Sequence, residues 1–150
     1  MTTPLRCVVD ASVGMKKFII DPLIPKVDQL FAHLRDSNTQ LYIPDLFYIE
    51  CTNIAWKYIR AGFYDVAEAQ ANLRDLILLR LTATPTADLI LEALTISKIY
   101  GISAYNAYCD ALSKQNNLPL ITQAQRLLNT LGNTDFDIHL FADFSIPPLP

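Results

Sequence analysis

Glycine is scarce in this sequence: only four occur in 150 residues, and none of them belongs to a phosphate-binding loop. Cysteine is also rare, and Cys7, Cys51 and Cys109 are widely spaced, odd in number and without a CxxC pair. Such usage favours buried thiols in a reduced intracellular protein over a disulfide framework. A nucleotide-binding fold built on a glycine-rich loop and a disulfide-stabilised scaffold are therefore both excluded.

Excess positive charge and long hydrophobic runs are missing too. The net charge of -3 and the pI near 5.2 provide no overall basic field, so nucleic-acid binding would need a local patch or metal ions. The apolar LILLRL segment is interrupted by Arg80, and residues 1–6 carry no basic segment followed by a long hydrophobic one. We expect a cytoplasmic protein with no membrane contact.

The sequence has enough apolar residues for a substantial core, since 51% are hydrophobic and only 18% are charged. Its length is close to that of one domain, so we expect a single domain over residues 1–145. The proline-rich residues 146–150 are expected to form a loose tail, with a proline-motif ligand as the alternative.

Short apolar runs alternate with helical periodicity along the chain, which indicates a parallel sheet covered by helices on both faces. We therefore predict a three-layer α/β/α fold with a central, mostly parallel sheet of four to five strands. The predicted strands are residues 5–9, 41–44, 81–84, 118–122 and, as a last edge strand, 137–144. The predicted helices are residues 21–35, 45–61, 65–79, 86–100 and the segment beginning near residue 104.

The segment VVDAS, residues 8–12, places an aspartate directly after the first predicted strand. The carboxyl ends of parallel strands are where ligands bind in open α/β sheets, so Asp10 is a candidate site residue. Capping of a helix that begins at Ala11 or Ser12 explains the same aspartate equally well.

The segment PDLFYIECTNIAW, residues 44–56, contains a glutamate on the apolar face of a predicted helix. Glu50 shares that face with Phe47 and Ile54. A buried carboxylate needs compensation, either by a cation or by a lysine such as Lys16, Lys17 or Lys57.

The segment AYNAYCDALSKQNNLPLIT, residues 104–122, combines an amphipathic helix with a following strand. Asn106 and Asp110 lie one helical turn apart on the strip beside the apolar face. A solvated helix surface explains the pair as well as a ligand site does.

Four motifs together resemble the PIN-domain nucleases, including VapC-type toxins of bacterial toxin-antitoxin pairs. The motifs are VVDAS (8–12), PDLFYIE (44–50), ISAYNAY (102–108) and PLITQAQRL (119–127), in the family's order and at similar separations. The resemblance covers almost the whole chain. It implies an endoribonuclease that uses Mg²⁺ or Mn²⁺ held by a cluster of four acids.

Carried over residue by residue, the resemblance places the first two acids on Asp10 and Glu50. The third falls on Asn106 and the fourth on Ala124, so two of the four acids are missing. The implied metal ligands are Asp10, Glu50 and the amide oxygen of Asn106, with metal binding that is weak or absent. Asp110 joins these three as a candidate catalytic residue, either as a displaced substitute or as a polar residue at the rim.

The resemblance also implies an RNA substrate, single-stranded or structured, with Ser12, Thr122 and Arg126 as candidate contacts and Lys16 and Lys17 near phosphate. It further implies a protein antitoxin. Aromatic residues between positions 45 and 80 favour a homodimer surface or an antitoxin groove, although core packing explains them almost as well. The alternative function is a catalytically inactive PIN-fold module that binds RNA or protein or dimerises. A phosphoacceptor receiver domain is set aside, because LTATP (81–85) supplies no central aspartate.

Overall fold

A five-stranded, fully parallel sheet forms the centre of the fold. The structure is a computed structural model and describes residues 3–19 and 21–150. The spatial order of the strands is β3-β2-β1-β4-β5, which places β1 in the middle. The strands are β1 Arg6–Val9, β2 Gln40–Pro44, β3 Thr82–Thr84, β4 Leu120–Thr122 and β5 Ile138–Leu140.

Helices connect consecutive strands, as right-handed parallel crossovers require. In the described residues they are α1 Ala11–Gly14, α2 Ile24–Ala32, α3 Leu46–Arg60, α4 Val66–Leu78, α5 Ile90–Tyr100, α6 Ala104–Asn116 and α7 Gln125–Leu131. Short 3₁₀ turns lie at Met15–Lys17, His33–Arg35 and Thr86–Asp88. No helix in this part of the chain is long and apolar enough to cross a bilayer.

Two hydrophobic cores lie on opposite faces of the sheet, because alternate side chains of each strand point in opposite directions. Cys7 and Val9 of β1 pack in one core with α1 to α4, whereas Val8 packs in the other with α5, α6 and α7. This arrangement is the three-layer α/β/α fold that the sequence predicts. The sheet is parallel at all four strand pairings.

Most predicted elements are confirmed, with shorter boundaries. The helix predicted over 21–35 is α2 followed by a 3₁₀ turn, and the helix predicted over 86–100 begins with a 3₁₀ turn before α5. Only three residues of the segment 137–144 form a strand. The proline-rich tail contacts the body of the protein, because the His33 ring Nε2 lies 2.8 Å from the Pro147 carbonyl oxygen.

The junction between α5 and α6 fixes where the site-bearing helix α6 begins. Gly101 ends α5 in the left-handed conformation, with φ of 69°, which glycine adopts at low cost. Ser103 then caps α6 by accepting a hydrogen bond from the Asn106 backbone N–H. The start of α6 consequently lies beside the carboxyl ends of β1 and β4, since α6 runs back along the sheet between those strands and α5.

Candidate functional site

Asp10 lies at the carboxyl end of the central strand. Its backbone N–H donates to the Ile121 carbonyl of β4, and its own carbonyl accepts from the N–H groups of Val13 and Gly14 to begin α1. Its side chain makes no capping hydrogen bond, although it is only 8% exposed. The capping explanation for this carboxylate is therefore wrong, and the backbone of Asp10 alone starts the helix.

Two hydroxyl groups hold the Asp10 carboxylate. Ser12 Oγ donates to Asp10 Oδ2 at 2.7 Å and Thr122 Oγ1 donates to the same oxygen at 2.8 Å. Each hydroxyl oxygen also accepts a backbone N–H at 3.1 Å, Ser12 from Gln123 and Thr122 from Ala124. Because these amides occupy the hydroxyl lone pairs, both hydroxyl hydrogens are directed at Asp10. The motifs VVDAS and PLITQAQRL thus join at one carboxylate.

Glu50 lies half-buried on α3, and no lysine neutralises it. Lys16 pairs with Asp21 at 2.5 Å and Lys17 pairs with Asp28 at 3.4 Å, and Glu50 takes part in no ion pair within residues 3–19 and 21–150. Burial, and then the negative charge of Asp10, raise the pKa of Glu50 to about 7. Glu50 and Asp10 therefore share one electrostatic environment.

Asp110 is completely buried on α6, and neither of its carboxylate oxygens has a hydrogen-bond partner in the described structure. Burial, and then the charge of Asp10, raise its pKa to about 7. The expectation that Asp110 lies at a solvated rim is wrong. The reason is that α6 is covered on one side by β1, β2 and β4 and on the other by α5, which leaves no rim at this position.

The charges of three carboxylates act on the buried thiol of Cys109. Burial raises its pKa well above the ordinary value, and the charges of Asp10, Glu50 and Asp110 raise it further. Burial, then Glu50 and Asp10, likewise raise the pKa of Cys51. All three cysteines are free and buried, as predicted, and such thiols are poor nucleophiles.

Asn106 lies in a neighbouring cleft. That cleft, of about 420 Å³, is lined by Asn106, Ala124 and Arg126 among others, and none of its lining residues is an acid. The two positions that the resemblance assigns to the missing acids are therefore brought together, but without a carboxylate. Within the described chain, Asn106 makes no hydrogen bond to Asp10 or Glu50.

A second cleft, of about 260 Å³, lies on the Ser12 side of Asp10. Its lining includes Ser12, Lys16, Lys57 and Gln123. The two lysines lie at this side of the carboxylates, whereas Arg126 lies at the Asn106 side. Cationic side chains are thus present on both flanks of a local negative cluster, in a chain whose net charge is -3.

The donor set suits a hard divalent cation, because Mg²⁺ and Mn²⁺ are bound through carboxylate and carbonyl oxygens. Three carboxylates without a counter-charge repel one another, and Asp110 lacks any protein partner. Even so, residues 3–19 and 21–150 contain no group of three histidine, cysteine, aspartate or glutamate side chains arranged to hold a metal ion. Carboxylates are suitable ligands for such a cation, but in this structure no three of them surround a common position in the described residues.

Sequence reasoning missed the burial of Asp110. The signal was present in its neighbours, since Ala107, three residues before Asp110, and Ala111, directly after it, are small enough for close helix packing. Both are fully buried, as is Leu112. In the folded protein the strip that carries Asp110 is therefore covered.

No protein-family model and no curated protein matches this chain. Among solved structures, the chain is similar to PAE2754 from Pyrobaculum aerophilum, with 27% identity and a TM-score of 0.66 over 89% of this chain and 83% of that one. A toxin-antitoxin complex from Klebsiella pneumoniae matches at 14% identity and a TM-score of 0.61, over 93% of this chain and 99% of that one.

VapBC-1 from nontypeable Haemophilus influenzae matches at 15% identity and a TM-score of 0.58, over 93% of this chain and all (100%) of the other. Likeness at this level of identity shows the fold. It agrees with the four motifs and with the strand order described above. The chain has the PIN-like fold of VapC-type proteins.

Proposed function

We propose that this protein is an endoribonuclease that depends on Mg²⁺ or Mn²⁺ and has reduced activity. The observation that supports the proposal is the convergence of Asp10 and Glu50, since the charge of Asp10 contributes to raising the pKa of Glu50 to about 7. A bound cation reduces the electrostatic repulsion between two carboxylates near the carboxyl end of a central strand.

When bound, a divalent cation neutralises phosphate charge and makes a bound water a better nucleophile. Asp10 is the main ligand, oriented by the hydroxyls of Ser12 and Thr122. Glu50 is the second ligand, and the Asn106 amide oxygen is a neutral ligand on the adjoining cleft. Because positions 106 and 124 carry no acid, affinity for the cation and the rate of hydrolysis are both lower than in a four-acid site.

The proposed RNA contacts come from individual cationic side chains rather than from the net charge of the protein. Lys16 and Lys57 line the cleft on one side of Asp10, and Arg126 lines the cleft on the other. In this proposal these three cationic side chains contact RNA phosphates that flank the scissile bond. Ser12 and Thr122 act through Asp10 in this proposal, because both donate to its carboxylate and Thr122 is fully buried.

A protein antitoxin and a second copy of the chain are the proposed partners. The similar structures from Klebsiella and Haemophilus are toxin-antitoxin complexes, which supports the first. Large apolar side chains on and after α3 are exposed, including Ile49 (66%), Trp56 (52%) and Phe63 (81%), which supports a protein interface. Phe63 also lines an aromatic cleft of about 390 Å³ next to the Lys16 side of the site.

The test is cleavage of a single-stranded RNA and of a hairpin RNA by the purified full chain. We expect slow cleavage in millimolar Mn²⁺ or Mg²⁺, none in EDTA, and at least about a hundredfold loss in Asp10→Asn and in Glu50→Gln. Asp75→Asn is the matched control, because Asp75 is an exposed carboxylate on α4 and its loss leaves the rate unchanged. Cleavage that survives EDTA, or that Asp10→Asn retains, contradicts the proposal.

A second candidate function is a PIN-fold module that binds RNA or protein without catalysis. The acid-free cleft around Asn106 and Ala124 favours it, because both positions expected to carry carboxylates are neutral there. The two candidates differ in metal binding. Absence of Mn²⁺ binding at millimolar concentration, together with absence of RNA cleavage, leaves only this second function.

A further inference from the structure

We propose that Gly14 of α1 and Phe47 of α3 are positioning residues for the candidate site. Their contact sets the separation between the carboxylates of Asp10 and Glu50, and neither residue carries a group that reacts. The consequence for catalysis rests on the proposed function, whereas the separation itself can be measured without metal or RNA.

Gly14 has no room for a side chain. A Cβ atom at this position would lie 2.7 Å from Cζ of Phe47 and 3.1 Å from its Cε2, closer than the usual carbon–carbon contact of about 3.5–4.0 Å. The backbone of Gly14 has φ of -57° and ψ of -40°, which any residue adopts in a right-handed helix. By contrast, Gly62 and Gly101 have a positive φ and open space around them. Glycine is therefore required at position 14 by the approach of the ring and not by backbone conformation.

The Phe47 ring has little freedom to move away from Gly14. It is 1% exposed and is among the largest fully buried side chains. It also makes an edge-to-face contact with the Tyr48 ring, with centroids 5.6 Å apart and planes at 86°. A close-packed interior transmits a change in volume to its neighbours instead of absorbing it. A side chain at position 14 would therefore displace α3 from α1.

Each member of this contact lies about one helical turn from a carboxylate-bearing residue. Gly14 is four residues after Asp10, and its N–H donates to the Asp10 carbonyl at 3.2 Å. Phe47 is three residues before Glu50 on α3, so these two lie on the same side of the helix. The spacing of α1 and α3 at the contact is thus transmitted through one turn of each helix. Displacement of α3 consequently moves Glu50 relative to Asp10.

Asp10 is attached to the sheet, so the displacement falls on the Glu50 side. The Asp10 N–H donates to the Ile121 carbonyl, and its carboxylate accepts from the Thr122 hydroxyl, both on β4. A clash between α1 and α3 is therefore relieved by movement of α3. The charge of Asp10 contributes, after burial, to raising the pKa of Glu50 to about 7, as expected where α1 and α3 pack closely.

The experiment compares crystal structures, without metal, of the unaltered protein and of Gly14→Ala. We expect the separation of the Asp10 and Glu50 carboxyl groups to change by about 0.5 Å or more, because a methyl group inserted into a close-packed contact moves its neighbours. The double variant Gly14→Ala/Phe47→Leu lacks both crowding ring atoms and restores the separation. Should Gly14→Ala not fold, Phe47→Leu alone is the second variant, and the separation then changes in the opposite direction because α3 approaches α1.

Gly132→Ala is the matched control. Its added Cβ is equally crowded, 2.6 Å from the Leu128 carbonyl oxygen, but it lies just after α7 and away from the contact of α1 with α3. We expect this variant to melt at a lower temperature, as Gly14→Ala does, and to keep the carboxyl separation. In RNA cleavage with Mn²⁺, Gly14→Ala loses at least about tenfold in kcat with KM changed less than about threefold, and the double variant recovers to within about threefold of the unaltered protein.

An unchanged separation in Gly14→Ala overturns the inference, and Mn²⁺-dependent cleavage by the unaltered protein then leaves the proposed function intact. A changed separation that the double variant restores, without Mn²⁺ binding or cleavage by the unaltered protein, supports the inference and contradicts the proposed function. An equal change of separation in Gly132→Ala also overturns the inference, because any crowded glycine then has the same effect.

Discussion

The Thr122 hydroxyl donates a 2.8 Å hydrogen bond to the Asp10 carboxylate, and this bond joins the carboxyl ends of the adjacent strands β1 and β4. The same hydroxyl oxygen accepts the Ala124 N–H at 3.1 Å. Thr122 thus sets the direction of the Asp10 carboxylate and the path of the chain towards α7.

Replacement of Thr122 by valine removes both of these bonds while keeping the shape of the side chain. We expect the free energy of unfolding to fall by about 1–3 kcal/mol, because a buried carboxylate and a backbone N–H each lose a partner. Urea denaturation measures the change. Thr95→Val is the matched control, since Thr95 on α5 is exposed and bonds only to the Leu91 carbonyl. An equal effect in both variants contradicts the role assigned to Thr122.

Stability of the metal-free protein is predicted to decrease as pH rises from about 4 to about 7. Glu50 and Asp110 each have a folded-state pKa of about 7, above their ordinary values of 4.5 and 3.8. The native state therefore holds protons over this range that the unfolded state has released, and ionisation disfavours the native state. Above about pH 7 both states are ionised and these two groups add no further change. The charge of Asp10 contributes to raising both pKa values, and the charges of all three carboxylates contribute to raising the pKa of Cys109.

Melting curves in EDTA at pH 5.0 and pH 7.5 measure this effect. We expect a melting temperature lower at pH 7.5 by about 5 °C or more in the unaltered protein, and a smaller drop in Asp110→Asn. A melting temperature that rises between these pH values, in both proteins alike, contradicts the assignment of raised pKa values to the two carboxylates.

Restoring acids at the two neutral positions tests whether ligands are all that the site lacks. Asn106→Asp and Ala124→Asp share one cleft, so the double variant adds two carboxylates beside Arg126. We expect Mn²⁺ affinity to rise at least about tenfold and RNA cleavage to become faster, with a lower melting temperature in EDTA because like charges are added. Thr130→Asp, in the same cleft but outside the motif positions, is the control.

Should the double variant bind Mn²⁺ no better than the unaltered protein, the acid-free cleft is not a degenerate metal site. In that case the non-catalytic function gains support. Tighter Mn²⁺ binding without any cleavage instead points to a missing substrate contact.

The exposed apolar surface of α3 predicts self-association or partner binding. The fluorescence of Trp56 can monitor either event. Trp56 is the single tryptophan of the chain and is 52% exposed, and Phe63, seven residues later, is 81% exposed. We expect a solution mass of twice the 16.9 kDa monomer and a blue shift of tryptophan emission with rising concentration. Phe63→Ser lowers association. A monomeric mass at all concentrations, with constant emission, removes the homodimer.

Much of the fold is predictable from the sequence because its patterns are local. The apolar run around Cys7 to Val9 indicates a strand covered on both faces, and Gly101 marks the end of α5 through its left-handed conformation. The short helix α7 is not predictable in the same way, and α1 is anticipated only as a helix that begins at Ala11 or Ser12. Each is too short to show a helical period, and each forms because tertiary contacts at Asp10 and Thr122 direct the chain.

The candidate site is only partly predictable, because burial of a polar residue depends on elements distant in sequence. Asp10 and Glu50 are identified by position on a strand end and on an apolar helix face. The pattern around Asp110 equally fits a solvated strip, since only the packing of α5 on α6 decides that this strip is covered. The acid-free cleft requires α6 and the start of α7 to meet, which no single segment encodes.

The most direct test of the central claim is the anomalous diffraction of a crystal soaked in Mn²⁺. We expect one strong peak beside the carboxylates of Asp10 and Glu50, which Asp10→Asn abolishes. A peak in the Asn106 and Ala124 cleft alone, or no peak near Asp10 in a crystal that takes up Mn²⁺ elsewhere, contradicts it.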